Sequence, residues 1–337
     1  MRIKSIYLKL IIAVLVAIFL IAAVLFGIKV WEKERGYFPE SDRQGGVVVF
    51  NDRSYKYNED IETLLVMGLD RYDSVSAGSY VNGVRADFLT LFVFNNQTQQ
   101  SVAIPINRDT MTKVDRLSIG GNAVVGSFTR QIALAYNYAD DDNDKIRCRN
   151  TKDSVEYLLN GVKVNHYISF TLDAVAVSCD VVGGVDVTLL DDFTNIDETF
   201  VKGNKVTLTG EQALSYVRSR YGLEEPTNSA RMERQKQYLN ALYDKINASA
   251  DDELILKLVD AVDDYVAYDS TNNKLKQFTE KFDDYEFLGF KEIEGESKAG
   301  EEYMEFYPDM ESLQKLVIDV FYLPETDDNK QDVSIWN

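Results

Sequence analysis

Charged residues stand at the ends of three apolar runs between Leu64 and Asp109. They are Asp70 after the first run, Arg85 and Asp87 before the second, and Arg108 and Asp109 after the third. Carboxylates and guanidiniums together suit a divalent cation and a phosphate, because Mg²⁺ takes one or two carboxylates and completes its shell with phosphate oxygens and water. Arginine supplies a bidentate fork for phosphate. The alternative is a surface salt-bridge cluster, since charges at strand ends are ordinary.

The three apolar runs have the length and the Val, Ile and Phe content of buried strands. The segment 95–98 has turn composition, so the second and third runs are predicted to form an antiparallel hairpin. This pairing places the start of the second strand beside the end of the third. If the first strand runs parallel to the third, its end lies on the same edge, and the five charged residues meet there.

A second set of charged and polar residues lies around the start of the second of two predicted helices. Thr209 and Gln212 form a capping-box sequence for a helix through about Tyr216, and Asn228 is predicted to cap the next helix. The set comprises Arg218 and Arg220 before that helix, and Arg231, Arg234, Gln235 and Tyr238 along one side of it. Free N–H groups and the helix dipole both favour anions, so this helix start predicts a phosphate site. A solvated arginine face is the competing interpretation.

Composition argues against several classes of function. The 337 residues carry 55 acidic and 36 basic side chains, and the net charge of -19 argues against a general nucleic-acid-binding surface. Cys148 and Cys179 lack CxxC spacing, and His166 is the single histidine of the sequence. A zinc site and a catalytic dyad of Cys or Ser with His are therefore not expected. A disulfide between the two cysteines stays open.

The N-terminal sequence predicts one uncleaved membrane anchor. The uncharged run Leu10–Ile28 would be about 28 Å long as a helix, close to the ~30 Å hydrocarbon core of a bilayer. Trp31 follows at interface depth, and no clear cleavage site comes after the run. Basic residues flank the run almost equally, so their count does not decide the orientation.

Strand and helix patterns alternate through the rest of the chain. They predict an α/β fold, with a mixed central β-sheet flanked by helices in a sandwich, preceded by one transmembrane helix. Helices are expected at 130–136, 150–159 with a cap at Asn150–Thr151, 171–182 and 253–265, strands at 166–170 and 185–190, and a closing segment at 313–322. The acidic stretch 140–144 lacks the glycine and distal glutamate of an EF-hand loop and is interpreted as a solvated turn.

Taken together, the motifs resemble the LytR-CpsA-Psr family of Gram-positive cell-envelope proteins. The resemblance covers about residues 60–247 and rests on pieces in the family's order. These are the N-terminal span, Gly68-Leu69-Asp70, Arg85-Ala86-Asp87, Asn107-Arg108-Asp109-Thr110, Val182–Val187, Leu208–Leu214, Tyr216–Arg220 and Arg231–Gln235.

The resemblance implies a phosphotransferase on the outer face of the membrane. Such proteins move an anionic glycopolymer, of teichoic acid or capsule type, from a polyprenyl-pyrophosphate carrier to peptidoglycan. Asp70 and Asp87 would hold Mg²⁺ (or Mn²⁺). Catalytic roles would fall to Arg85, Arg108, Asp109, Arg218, Arg220 and Arg231, with Asp109 orienting an arginine, and substrate binding to Gln131, Asn228, Arg234 and Gln235. The prenyl tail would need an apolar tunnel, which the sequence cannot distinguish from a core.

Three positions depart from the family's usual residues. Gln131 stands where a lysine is usual, Asn228 where an aspartate is usual, and Asn107 where a proline is common. The first change removes a positive charge beside the pyrophosphate, and the second removes a possible arginine partner or base. These two changes bear on catalytic rate or substrate choice, but neither removes the two metal-binding carboxylates.

The expected layout places the main domain outside the cell. Residues 1–9 would be a short cytoplasmic tail, 10–31 the transmembrane anchor, 32–60 a stalk, 61–325 the extracellular domain and 326–337 a polar tail. The expected partners are the lipid-linked glycopolymer, peptidoglycan and the membrane, with no nucleic acid. Two alternative functions stay open: a binding protein that holds the lipid or glycopolymer without turnover, and a hydrolase that releases it to water.

Overall fold

A computed structural model describes residues 47–325, apart from 72–82, 122, 140–142, 221, 250–252, 270–273, 275–276, 279, 282–283 and 302. The predicted membrane anchor, the cytoplasmic tail, the polar tail and the first part of the stalk lie outside these residues. Within the described ranges, no helix is both long enough and apolar enough to cross a bilayer.

The strands that the structure describes group into one large sheet and several small ones. They are β1 (Val47–Phe50), β2 (Arg53–Tyr57), β3 (Ile61–Leu69), β4 (Ala86–Asn95), β5 (Gln100–Pro105), β6 (Met111–Leu117), β7 (Val124–Gln131), β8 (His166–Phe170), β9 (Val185–Thr188), β10 (Lys205–Leu208), β11 (Val266–Tyr268), β12 (Glu286–Phe290), β13 (Gly295–Ala299), β14 (Met304–Pro308) and β15 (Tyr322–Pro324).

Along the sequence, the helices of the described chain occur between strands. They are α1 (Asp144–Leu158), α2 (Leu172–Val181), α3 (Gly210–Arg218), α4 (Asn228–Asn247), α5 (Leu254–Val262) and α6 (Met310–Phe321). The mixed α/β architecture that the sequence predicts is confirmed.

The central sheet has six strands in the order β11-β8-β3-β4-β5-β12. β4 pairs antiparallel with both β3 and β5, so the predicted hairpin is confirmed, and β3 and β5 run in the same direction, which is the condition for the convergence of charged residues. β8 continues the sheet parallel to β3, and β12 continues it parallel to β5. Side chains on both faces of β3 are buried, which is why its sequence is a continuous apolar run rather than an alternating pattern.

Gly68 lies where the sheet leaves no room for a side chain. A Cβ atom there would lie 2.9 Å from Phe88 Cβ and 3.2 Å from the ring of Phe170. The pairing of β3 with β4 shifts register immediately after this glycine. The close approach brings the start of β4 against the end of β3, where the first group of charged residues begins.

Several helix boundaries differ from the sequence expectation. α1 begins after Asn143, whose side chain accepts a hydrogen bond from the backbone N–H of Lys145. The predicted cap at Asn150–Thr151 is therefore wrong, because both residues lie inside α1. Asn150 is buried and donates to the backbone carbonyls of Asp115 and Ala135, a tertiary role that resembles a cap in sequence.

The expected helix at 130–136 is also wrong for most of its length. Residues 130 and 131 complete strand β7, which pairs with β6, and only Ile132–Leu134 form a 3-10 turn. The capping box at Thr209 and Gln212 is confirmed at the start of α3. The cap of α4 is Thr227 rather than Asn228, which leaves the Asn228 amide available for other contacts.

Two large apolar clusters stabilise the described domain, beside a small one of Leu64, Phe94 and Phe278. The larger one packs the central sheet against α1 and α6, and it includes Leu65, Val155 and Val317. It also includes Val48 from β1, which pairs with β2 and, through it, with β15 in a small sheet. The second large cluster gathers residues of α2, α3, α4, β9 and β10. Cys148 and Cys179 lie in separate clusters as free, buried thiols.

We expect Leu65→Ala to lower the free energy of unfolding by about 2–5 kcal/mol, because it leaves a cavity in the larger cluster. Leu65 is completely buried, whereas Val49 is 65% exposed. Val49→Ala is the matched control and is expected to stay within about 0.5 kcal/mol of the parent. Urea unfolding with an unchanged m-value measures both. Equal losses in the two variants would contradict the packing described here.

Candidate functional site

One edge of the central sheet brings together the ends of three strands. Leu69, the last residue of β3, pairs with Ala86, the first residue of β4. The backbone N–H of Asp70 donates to the carbonyl of Arg85 at 2.9 Å. β5 ends beside the first half of β4 at Pro105. The predicted convergence of the five charged residues on this edge follows from these pairings.

Asp87 is the centre of the ion pairs at this edge. Its Oδ2 accepts hydrogen bonds from Arg108 Nη1 and from Arg231 Nη1, the latter at 3.4 Å. Its backbone carbonyl accepts from Arg231 Nη2 at 3.3 Å. The other carboxylate oxygen, Oδ1, is buried and has no hydrogen-bond partner among the described residues. One aspartate thus joins the turn after β5 to helix α4.

Asp70 and Arg218 form a second ion pair at the outer edge of the site. Arg218 Nη2 lies 3.0 Å from Asp70 Oδ1, and both side chains are partly exposed. Arg218 is the last residue of α3. Asp70, Asp87, Arg218 and Arg231 line the same cavity, so the structure places both predicted metal-binding carboxylates beside arginines of the second set.

Asp109 lies deeper than these two ion pairs and is almost completely buried. Its Oδ1 accepts from Gln131 Nε2 at 2.9 Å and lies 3.4 Å from Arg108 Nε. Burial raises the pKa of Asp109 above its usual range, although the charges of Arg108, Arg231 and Arg220 oppose the shift. The contact with Nε orients the Arg108 guanidinium, which also contacts Asp87.

Gln131 and Arg85 connect the site to the C-terminal hairpin β13–β14. Gln131 Nε2 also donates to the backbone carbonyl of Met304 at 2.7 Å. The guanidinium of Arg85 lies over the ring of Tyr303, 5.2 Å from its centroid. Gln131 thus spans Asp109 and β14 with one amide group, and this hairpin had no recognisable signal in the sequence.

Arg234 does not lie where the substrate-binding prediction requires. Its Nε donates to the carbonyl of Tyr216 at 3.0 Å, its Nη2 donates to the carbonyl of Ser219, and the side chain is fully buried. Its guanidinium stacks 5.5 Å from the ring centroid of Phe193. These contacts give Arg234 a structural role, which holds the end of α3 against α4.

Gln235 lies at the side of the cavity that Asp70, Asp87, Arg218 and Arg231 line together with apolar side chains. Its Nε2 donates to the carbonyl of Val217 at 3.2 Å, and its side chain lines the cavity with Arg231. Leu239 follows one helical turn later and lines both this cavity and a second one of about 410 Å³. The second cavity is apolar and lies between the central sheet, including its edge strand β12, and helices α4 and α5. Its other lining residues include Val66, Phe92, Leu242, Ile246, Leu258, Phe287 and Phe290.

The comparison with protein families decides the assignment. The sequence model of the LytR_cpsA_psr family matches residues 38–318. The chain belongs to the LytR_cpsA_psr family. The motifs at the sheet edge and at the start of α4 lie within the matched range, so the resemblance that they suggested is confirmed.

Individual relatives agree with this assignment. The chain is 27% identical over 221 residues to the polyisoprenyl-teichoic acid–peptidoglycan teichoic acid transferase TagU of Enterococcus faecalis. The match covers 65% of each chain, so this chain spans less than two thirds of the length of that relative.

Solved structures share the fold of this LytR_cpsA_psr protein. Bacillus subtilis TagV superposes with a TM-score of 0.57 at 22% identity, over 78% of this chain and 96% of that chain. A structure of TagT bound to LI-WTA superposes with a TM-score of 0.58 at 18% identity, over 78% of this chain and 90% of that chain.

The donor set of this LytR_cpsA_psr site fits a divalent cation that is shared with a phosphate. Asp87 has a buried oxygen without a partner among the described residues, and Asp70 lines the same cavity. Within the described part of the chain, no group of three or more His, Cys, Asp or Glu side chains could hold an ion alone. Mg²⁺ commonly takes one or two carboxylates and completes its shell with phosphate oxygens and water.

We expect Asp109→Asn to be at least as stable as the parent at pH 7. Burial raises the pKa of Asp109, so ionisation costs folding free energy at neutral pH, and that cost vanishes below the unfolded pKa of about 3.9. The advantage of the variant should therefore shrink as the pH falls towards 4. Urea unfolding over a pH series measures it.

Asp186→Asn is the control, and its effect on stability is expected to have the opposite sign. A hydrogen bond from Thr207 lowers the pKa of Asp186, so that carboxylate contributes stability above its unfolded pKa and loses it on acidification. A large loss of stability in Asp109→Asn at pH 7 would show that the contacts with Arg108 and Gln131 outweigh burial.

Proposed function

We propose that this protein is a Mg²⁺-dependent phosphotransferase that moves an anionic glycopolymer from a polyprenyl-pyrophosphate carrier to peptidoglycan. The observation that carries the proposal is that Leu239 lines two cavities. One holds Asp70, Asp87, Arg218 and Arg231 beside an apolar wall, and the other is apolar. A pyrophosphate attached to a long hydrocarbon chain requires both environments within one molecule's length.

Helix α4 runs from one environment to the other. Arg231, Gln235 and Leu239 succeed one another at four-residue spacing, and Leu242 and Ile246 continue along the apolar cavity. From 231 to 246 the helix advances about 22 Å at ~1.5 Å per residue. A prenyl pyrophosphate would lie along this face, with its phosphates at the helix start and its tail beside the later residues.

The charged residues would bind and orient the pyrophosphate. Asp70 and Asp87 would hold Mg²⁺, which when bound neutralises developing charge on the phosphate oxygens. Arg108, Arg218 and Arg231 would bind the same oxygens, with Arg85 and Arg220 nearby. In the transfer, an acceptor hydroxyl oxygen forms a bond to the phosphorus that carries the polymer, the bridging P–O bond breaks, polyprenyl phosphate leaves, and the hydroxyl proton passes to the leaving phosphate or to solvent. Such reactions need positioning and charge neutralisation more than covalent participation by the protein.

The relatives support the choice of substrates. The name of the Enterococcus faecalis relative specifies a polyisoprenyl-teichoic acid and peptidoglycan, and the TagT structure was solved with LI-WTA bound. For this chain we infer a teichoic acid or a related anionic glycopolymer as the transferred group. A capsule-type polymer carries the same phosphate linkage and would use the same residues.

The proposed location follows from the substrates and the N-terminal sequence. A lipid-linked donor lies in the membrane, and the uncharged run Leu10–Ile28 would anchor the protein there. We propose a single-pass protein with its N terminus in the cytoplasm and the main domain outside the cell. The acidic net charge of -19 suits a partner other than nucleic acid.

A non-catalytic binding protein is the second candidate. The observation that favours it is the neutral Gln131, which meets Asp109 where the family usually has a lysine. The site then has one positive charge fewer for stabilising phosphate in a transition state. Binding to the apolar cavity would be unaffected, because that cavity is lined by α4, α5 and the sheet.

We expect Asp87→Ala to lower turnover by at least roughly 100- to 1,000-fold, because it removes a metal ligand and the shared partner of Arg108 and Arg231. The assay follows transfer from a lipid-linked oligosaccharide with Mg²⁺. Asp186→Ala, an exposed carboxylate on β9, is the control and should retain full activity. Chelation should abolish turnover, and added Mg²⁺ should restore it. Turnover that survives in folded Asp87→Ala would refute the site assignment.

We expect Leu239→Trp to impair binding of long prenyl pyrophosphates at least about tenfold, because the larger ring would fill the junction between the cavities. Binding of inorganic pyrophosphate with Mg²⁺ should change little. Asp244→Trp places the same ring at an exposed position of α4 and should bind both ligands normally. Unchanged prenyl binding in Leu239→Trp would contradict the proposed path of the lipid.

A further inference from the structure

The side chain of Asn228 does not cap the helix that it begins. Thr227 is the N-cap of α4, and its Oγ1 accepts from the backbone N–H of Ala230 at 3.1 Å. Asn228 Oδ1 instead accepts from Arg231 Nη2 at 2.5 Å, and Asn228 Nδ2 donates to Asn107 Oδ1 at 2.7 Å. One amide therefore joins an arginine of α4 to the turn after β5.

The contacts of Asn107 fix the orientation of both amides. Asn107 is buried, and its Oδ1 also accepts from the backbone N–H of Asp109 at 2.9 Å, closing an Asx turn. If this side chain flipped, that N–H would face another donor and lose its partner, at a substantial cost. Asn228 must therefore present its NH₂ group to Asn107 and its oxygen to Arg231.

Asn228 gives Arg231 an acceptor that carries no charge. Its side chain is buried, and its ion-pair partner Asp87 also binds Arg108. A second carboxylate at position 228 would form its own charge-assisted bond and compete with a phosphate for the guanidinium. It would also place an oxygen against Asn107 Oδ1, where the structure has a donor. An amide satisfies both neighbours without adding negative charge.

We propose that Asn107 and Asn228 form a neutral amide bridge, which positions Arg231 against Asp87 and leaves its positive charge for a phosphate. The inference rests on the proposed function for the identity of the ligand. Both asparagines are positioning residues, because each acts through Arg231. The two departures from the family's usual residues at these positions are then one coupled feature, since each amide requires the other.

A double-mutant cycle on the full chain in detergent tests the bridge. Titration with geranylgeranyl pyrophosphate and Mg²⁺ would compare Asn107→Ala, Asn228→Ala and the double variant with the parent. Each single change should weaken binding about tenfold, and the double variant should be no more than about twofold weaker than the worse single variant. Ser229→Ala, an exposed change in the same turn, should bind as the parent does. Additive losses near 100-fold would overturn the bridge.

The charge requirement is tested by the isosteric change Asn228→Asp. It should bind the same probe more weakly than Asn228→Ala does, because it adds a negative charge beside Arg231 and removes the donor to Asn107. Ser229→Asp adds the same charge one residue away and should have a much smaller effect. Binding by Asn228→Asp at the level of the parent would overturn the claim that the bridge must be neutral.

A measurement without ligand separates this inference from the proposed function. Hydrogen exchange of the Arg231 guanidinium, followed by ¹⁵N NMR, should become faster to a similar degree in Asn107→Ala and Asn228→Ala, and should be unchanged in Ser229→Ala. Unchanged exchange in both variants would refute the bridge even if the protein is a transferase. Faster exchange, combined with failure of the parent to bind the probe, would refute the proposed function alone.

Discussion

The site depends on a single carboxylate that holds two guanidiniums at the edge of a sheet. Asp87 pairs with Arg108 from the turn after β5 and with Arg231 from α4. Burial lowers the pKa of Arg231 to about 10, so this arginine needs compensation from Asp87 and acceptors such as Asn228. The same pairs fix α4 against the sheet and concentrate positive charge beside a cavity in a strongly acidic protein.

The position of α4 also explains why one site can have a charged part and an apolar part. Its buried face begins with Arg231, continues through Gln235 and ends beside the apolar cavity with Leu239, Leu242 and Ile246. The helix start offers a positive environment, and later turns offer a mostly apolar one. Arg234 holds α4 against the end of α3 through backbone carbonyls, so an arginine that does not line the cavity contributes to its geometry.

The sequence predicted the β4–β5 hairpin because two apolar runs flank a turn, and the charged ends meet because β3 runs parallel to β5. It could not separate Arg231 from Arg234, since both fit the helical period and only tertiary packing directs one to Asp87 and the other to carbonyls. Leu239 and Leu242 have the spacing of ordinary core residues, so the apolar cavity was not predictable. The contacts of Gln131 with Met304 and of Asn228 with Asn107 join distant segments, and no local pattern marks them.

The most direct test of the account is product analysis by mass spectrometry. The protein would be incubated with a polyprenyl-pyrophosphate oligosaccharide and Mg²⁺, with and without a peptidoglycan oligomer. We expect a glycan joined to the oligomer through a phosphodiester, formed only when donor, acceptor and metal are all present. Release of the glycan to water alone, or unchanged lipid that stays bound to the protein, would contradict this expectation.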